Sequence, residues 1–415
     1  MAAGKKTCLS LFSGGGGMDI GVAQTGRFKL LACVEQVKVF CDTLRSNRDA
    51  GRLDASARVY QANITTLDPA EVMSDLGLEP GDLDLLVGGP PCQAFSTVGK
   101  RRSVRDPRGM MLWQYLRFVE SLRPKVFVME NVRGLMTAAL RHRPTAERPD
   151  KGGSPLAPDE CPGSVVERWI ADLPAEYRVD CFVVNAANYG VPQVRERLFF
   201  VGNRLSHKAT FPEPTHGPRP PAAPYRTLGQ ALAGLADPSP EVADFQPEEK
   251  EVLAMVPPGG DWRYLPPDEG RRRLRGAAGA CGGKTGWYRR LSMDAPCPTI
   301  LGAPNHIATA LCHPLETRAL SLRECARVQE FPDDWAFCGG LRQKYLQIGN
   351  AVPVRLASVA TSVAAAVLDA GAETTAPLER FSVVSLQPGV RIRRAKEGRV
   401  VVRQPDAVDR QRRAA

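Results

Sequence analysis

Between residues 7 and 203, short apolar runs alternate with stretches of helical spacing. Residues 7–12 (TCLSLF) predict a buried strand that runs into a glycine turn, Gly14 to Gly17, with a helix following through Val22. Phe28 to Val34 predicts a second strand, ending at Glu35, and residues 37–48 a helix. Leu83 to Val87 predicts a short strand that enters the segment GGPPCQAFS at residues 88–96. Residues 110–122 have helical spacing, and 125–129 predict a strand ending at Glu130 and Asn131. Two more strands are predicted at 182–185 and 197–201. Alternation of this kind builds a doubly wound α/β sheet. In such sheets ligands gather at the carboxyl ends of the strands. The glycine turn, Glu35, Cys92 and Glu130 all fall there.

The texture changes after residue 203, and four regions are expected: 1–203, 204–316, 317–370 and 371–415. The second is rich in proline and glycine and predicts a smaller, irregular domain. Regular helices return at 321–331 and 351–368, to rejoin the first region. The basic tail has short valine-rich pieces between charges, which predict either a small hairpin or disorder.

Composition narrows the class. The chain has 415 residues, 43% hydrophobic and 24% charged, enough for a large core and a smaller second domain. No run of ~18 apolar residues predicts a membrane span. The 11 cysteines are scattered, with no C-x-x-C pair and no histidine cluster, so no metal site is expected and reduced, cytoplasmic thiols are. The net charge of +10 and pI near 9.2 point to a polyanionic partner. The stretch Lys100, Arg101, Arg102, Arg105 and Arg108 holds only one acid, Asp106.

Three features carry chemistry. A glycine turn after a strand lets a nucleotide-like ligand approach the backbone. Glu35, ending the next strand, suits ribose hydroxyls. The absence of a full phosphate fingerprint favours a nucleoside without a pyrophosphate. In GGPPCQAFS, two prolines stiffen the turn before Cys92, and a thiol at a sheet edge followed by a basic loop is set up for a lowered pKa.

GGPPCQAFS resembles the nucleophile motif of the C5-methyltransferase family, the DNA cytosine-5 methyltransferases of bacterial restriction-modification type. FSGGGG at 12–17, Glu130-Asn131-Val132, the Q-x-R-x-R run from Gln193 to Arg197, RECARVQEFP at 323–332 and Gly349-Asn350-Ala351-Val352-Pro353 resemble its other motifs, in the same order. The resemblance implies a Rossmann-like sheet that binds S-adenosyl-L-methionine and releases S-adenosyl-L-homocysteine, without metal. It makes Cys92 the nucleophile and Glu130 the acid at the cytosine ring, with Arg195 and Arg197 at the flipped nucleotide. Its cofactor pocket maps onto Phe12, Ser13, Gly14, Gly16, Gly17, Glu35, Asn63, Ile64, Pro90, Asn350, Ala351 and Val352. Asn63 stands where the family usually has aspartate, and Gln36 where an aromatic residue is common; Asn63 is expected to reach the adenine amino group through its side-chain oxygen.

The partner implied is double-stranded DNA, contacted by Gln93, Ser96, Lys100, Arg101 and Arg102 near the nucleophile. Region 204–316 takes the place of the target-recognition domain, with Arg271, Arg273 and Arg289 as its DNA-facing cations. It is nearly neutral overall, where a purely electrostatic clamp would be more basic; for the Arg271 cluster, phosphate contact is favoured over base readout. A monomer is expected, in a bacterial cytoplasm at the nucleoid, with a cognate restriction endonuclease acting on the same site without physical association. Two other readings remain: a tRNA cytosine-5 methyltransferase on the same fold, and a catalytically silent DNA-binding regulator.

Overall fold

A computed structural model describes residues 4–91, 110–274, 286–371, 379–386, 391–394 and 400–403. Eight strands form one sheet: β1 (Lys6–Leu11), β2 (Phe28–Glu35), β3 (Arg58–Gln61), β4 (Leu85–Gly88), β5 (Val126–Val132), β6 (Arg178–Asn185), β7 (Glu196–Asn203) and β8 (Phe381–Ser385). Their spatial order is β3-β2-β1-β4-β5-β7-β6-β8. The strands β3 to β5 in that order are parallel, as continuous apolar runs joined by helices require. β7 is antiparallel to both neighbours. Its connection from β6 holds only residues 186–195, too short for a crossover.

That reversal positions the site. The carboxyl ends of β1, β2, β4 and β5 lie along one edge, and β7 begins at that same edge. Arg197 pairs with Val132 in the β5–β7 register. The Q-x-R-x-R run therefore arrives beside Glu130 from the opposite chain direction.

Helices cover both faces. On one lie α1 (Gly17–Gln24), α2 (Lys38–Asp49) and, from the end of the chain, α9 (Leu322–Val328), α10 (Leu341–Asn350) and α11 (Val354–Ala370). On the other lie α3 (Pro69–Leu76), α4 (Met111–Leu122) and α5 (Ser164–Asp172), over an aromatic cluster of Tyr115, Phe127, Trp169, Tyr177 and Phe200. The stretch 341–370 is apolar and long enough to cross a membrane by length and composition, but Pro353 parts it into α10 and α11, and most of it is buried in the protein.

α1 and α11 meet through Gly21. A Cβ there would come within 2.5 Å of the Ala357 Cβ and 2.9 Å of the Val354 carbonyl oxygen. Gly21→Ala is expected to cost about 1–3 kcal/mol by overpacking, despite alanine's better helix propensity, in urea denaturation.

Region 204–316 contributes short helices, α6 (Leu228–Leu232), α7 (Pro247–Ala254) and α8 (Pro267–Leu274), and among its described residues only isolated bridges in place of strands. It has its own core of Phe245, Val252, Leu253, Leu265 and Tyr288. Leu228, Leu291, Ile300 and Leu311 join the main core instead.

In the tail, β8 adds parallel to β6, while β9 (Arg391–Arg394) and β10 (Val400–Arg403) pair antiparallel. β8 is held by a buried carboxylate: Asp180 accepts from Ser382 Oγ at 2.5 Å, from the Ala209 amide at 2.9 Å and from both Nε and Nη2 of Arg178.

Candidate active site

A cavity of about 1200 Å³ opens along the carboxyl edge of the sheet. That exceeds the ~300–1000 Å³ of an ordinary ligand pocket, and leaves room for a nucleoside cofactor beside a nucleobase. Phe12, Ser13, Gly14, Gly17, Glu35, Ile64, Pro90, Asn350, Ala351 and Val352 line it, as do Glu130, Arg195 and Arg197.

At the cofactor end the backbone is bent to order. Phe12, Gly14 and Gly16 have φ of +57°, +57° and +90°. Phe12 holds this left-handed conformation despite its side chain, as residues at functional turns do. Gly17 is required by close approach, because its Cβ would lie 2.6 Å from the Val352 carbonyl oxygen. The turn thus packs directly on the segment joining α10 to α11. Glu35 is fixed by three backbone amides. Its Oε2 accepts from Gly14 at 2.9 Å; its Oε1 accepts from Gln36 at 2.9 Å and Val37 at 2.8 Å. The unused acceptor capacity of Oε2 is the kind of group that takes a ribose hydroxyl.

Two residues expected in the cofactor pocket, Gly16 and Asn63, do not line the cavity. Gly16 faces Trp335, whose ring carbon would lie 2.7 Å from an added Cβ. Asn63 is exposed and outside the cavity wall. Its Oδ1 accepts from the amide and hydroxyl of Thr65, at 3.0 and 2.9 Å, and is spent on that turn. Ala62 and Ile64 form the wall on either side of it.

At the other end, Arg197 Nε sits 2.6 Å from Glu130 Oε1. Burial raises the Glu130 carboxyl above the ordinary carboxylate range, against the pull of Arg197 and Arg195. Gly89 leaves space for its other oxygen, 3.1 Å from where a Cβ would be. Asn131 Nδ2 donates to the Pro90 carbonyl at 3.3 Å, fixing the proline turn that leads into Cys92. Cys92 itself, with Gln93, Ser96, Lys100, Arg101 and Arg102, lies outside the described residues.

Arg195 does not present a free fork to a nucleotide. It is 3% exposed, and donates to the carbonyls of Ile300 and Gly349, both at 2.8 Å, and to Gln193 Oε1 at 3.4 Å. Gln193 also accepts from the Ile300 amide and donates to Gln329, which donates in turn to the Ile348 carbonyl. Arg195 is therefore a positioning residue that ties region 204–316 and α10 to the sheet edge.

The cations expected to face DNA divide similarly. Arg271 is exposed on α8, and Arg273 is 2.6 Å from Glu269. Arg289 is partly buried, and its Nε and Nη2 donate to the carbonyls of Ala310 and Thr309 within region 204–316. None of the three lines the cavity.

Several wall residues had no signal in the sequence. Thr299 lines the cavity and donates its hydroxyl to the Val194 carbonyl at 2.9 Å. Arg133 and Glu196 form an ion pair of 2.9 Å in the same wall. Both pairs join chain segments far apart, which spacing does not reveal.

The family model for C-5 cytosine-specific DNA methylase matches residues 6–365. The chain belongs to this family of DNA cytosine-5 methyltransferases. It is 38% identical to the Type II methyltransferase M.PspPI of Psychrobacter over 357 residues, covering 84% of this chain and 76% of that one. It is 37% identical to the Type II methyltransferase M.Eco47II of Escherichia coli, with the same coverage. Among solved structures, a prophage-encoded DNA modification methyltransferase of E. coli superposes with a TM-score of 0.59 at 23% identity, covering 88% of this chain and 100% of that one. The fold is that of S-adenosylmethionine-dependent methyltransferases.

Proposed function

We propose that the chain methylates carbon-5 of a cytosine flipped out of double-stranded DNA, with Cys92 as nucleophile. The observation that carries this is the buried Glu130–Arg197 pair facing the same cavity as the Phe12–Gly17 turn and Glu35. The residues fit the cofactor: the cavity joins an apolar wall at Phe12, Phe40 and Ile64 to a carboxylate already oriented by amides. When bound, the cofactor supplies an electrophilic methyl group on a sulfonium sulfur, and Phe12, Glu35, Pro90 and Asn350 hold it.

Cytosine carbon-5 is a poor nucleophile. Addition of the Cys92 thiolate at carbon-6 forms a sulfur–carbon bond and pushes electrons to nitrogen-3. Glu130, whose carboxyl burial biases toward the acid form, gives a proton there, so the ring becomes an enamine with a nucleophilic carbon-5. Arg197 neutralises the carboxylate left behind and orients it. After carbon-5 is methylated, loss of its proton restores the double bond and expels the Cys92 thiolate. Flipping costs a few kcal/mol, offset by contacts in the pocket.

Region 204–316 reads the target, with Arg271 on phosphate, and Lys100, Arg101 and Arg102 contact the backbone near Cys92. The enzyme acts as a monomer in the cytoplasm, without a metal, and protects host DNA from an endonuclease that cuts the same site. Transfer of labelled methyl groups to duplex DNA but not to tRNA is the expected result. Transfer to tRNA alone would replace this reading with the RNA branch.

A further inference from the structure

Beneath the cofactor turn lies a carboxyl that the catalytic scheme does not use. Asp19, in the first turn of α1, is completely buried. Its Oδ1 accepts from Cys33 Sγ at 3.6 Å, and Ser10 also hydrogen-bonds to the carboxyl. Its Oδ2 is buried and has no hydrogen-bond partner among the described residues. Among the described residues no lysine, arginine or histidine pairs with it. The charge that Asp19 feels from Glu35 is that of another acid. Of the two groups that contact Asp19, Ser10 leads on to the cavity. Ser13 Oγ donates to Ser10 Oγ at 2.9 Å, and Ser13 lines the cavity wall.

A buried carboxyl without a counter-ion costs the fold stability when ionised. Burial pushes Asp19 up to about 6 from its ordinary 3.8. A raised folded-state pKa contributes stability below pH ~3.8 that is lost as pH rises through ~6. A negative charge here therefore stands at the fold's expense, and Ser10 and Ser13 connect it to the cavity wall.

The reaction changes the charge of what occupies that wall. The methylated cofactor carries a sulfonium, an ammonium and a carboxylate, and is net cationic. Its demethylated product has lost the sulfonium charge and is net neutral. We propose that Asp19 sets the preference of the site for the cationic cofactor over its neutral product, acting through space and through Ser10 and Ser13. This rests on the cofactor reading above. Glu35, already satisfied by three amides, grips the ribose common to both molecules and does not distinguish them. Asp19 touches neither; it supplies an unscreened negative potential that rewards the extra positive charge.

The test is equilibrium binding to the full-length protein without DNA. Affinities for S-adenosylmethionine, for S-adenosylhomocysteine and for sinefungin, which replaces the sulfonium with an amine-bearing carbon, are measured by calorimetry. The wild type is compared with Asp19→Asn and with Asp19→Ser. Because the neutral carboxyl is the form the fold favours, the asparagine variant is expected to fold, and the serine variant provides a second neutral side chain. In both variants the ratio of S-adenosylmethionine to S-adenosylhomocysteine affinity is expected to fall on the order of tenfold, with sinefungin tracking the cationic cofactor. Equal weakening of all three molecules, or no change, would reduce Asp19 to a packing role and overturn the proposal. A wild type that binds none of the three would overturn the cofactor reading along with it.

Discussion

Glu130→Gln is expected to lower the rate of methyl transfer by about 10²–10⁴-fold, the range for losing a positioned general acid. Glutamine keeps the shape and can still bond to Arg197, but has no proton to give to the ring nitrogen. The pH profile should change as well. Since burial raises the Glu130 carboxyl, its acid form survives to a higher pH than an ordinary carboxylate. In the wild type, kcat should therefore fall on the alkaline side as Glu130 ionises, and that limb should be missing in the glutamine variant. The same shift means that the folded state favours the protonated form, so stability at neutral pH should not suffer. A rate within a few-fold of wild type would remove Glu130 from the chemistry. A large loss of stability would mean that the variant reports on folding instead.

Arg195→Met should act in the opposite way, on the fold before the chemistry. The substitution leaves the Ile300 and Gly349 carbonyls without their donor in a buried place. At about 1–3 kcal/mol for each unsatisfied group, the cost is on the order of 2–6 kcal/mol, read from chemical denaturation. Arg195→Lys should rescue it poorly, because one ammonium does not reproduce a planar fork that serves two carbonyls and Gln193. A cost below ~1 kcal/mol would show that the network does not bind region 204–316 and α10 to the sheet.

These two arginines, two residues apart, show how far the sequence could be read. The run from Gln193 to Arg197 marks both, but their roles depend on tertiary partners. Arg197 meets Glu130 because β7 runs antiparallel beside β5. Arg195 is taken up by carbonyls more than a hundred positions away. Arg289 was legible as a cation near aromatic residues, not as a brace for Thr309 and Ala310. The strand-end acids were easier, since an apolar run followed by a carboxylate states both the element and its exposed end. Glu35 and Glu130 were found that way. Asn63 was placed by position in a motif, and its local bond to Thr65 competes with the expected contact. β8 is five residues within a charged tail, too short for periodicity to show that it would extend the sheet beside β6. Asp19 gave no signal either, because a burial that strips it of every cation is visible only in three dimensions.

The central claim is covalent catalysis by Cys92 on DNA. It is tested most directly by incubating unmethylated plasmid with S-adenosylmethionine and either the wild type or Cys92→Ser, then mapping 5-methylcytosine by bisulfite sequencing. Methylation at one short recurring sequence with the wild type, and none above background with the variant, is the expected result. Equal methylation by both proteins would contradict it.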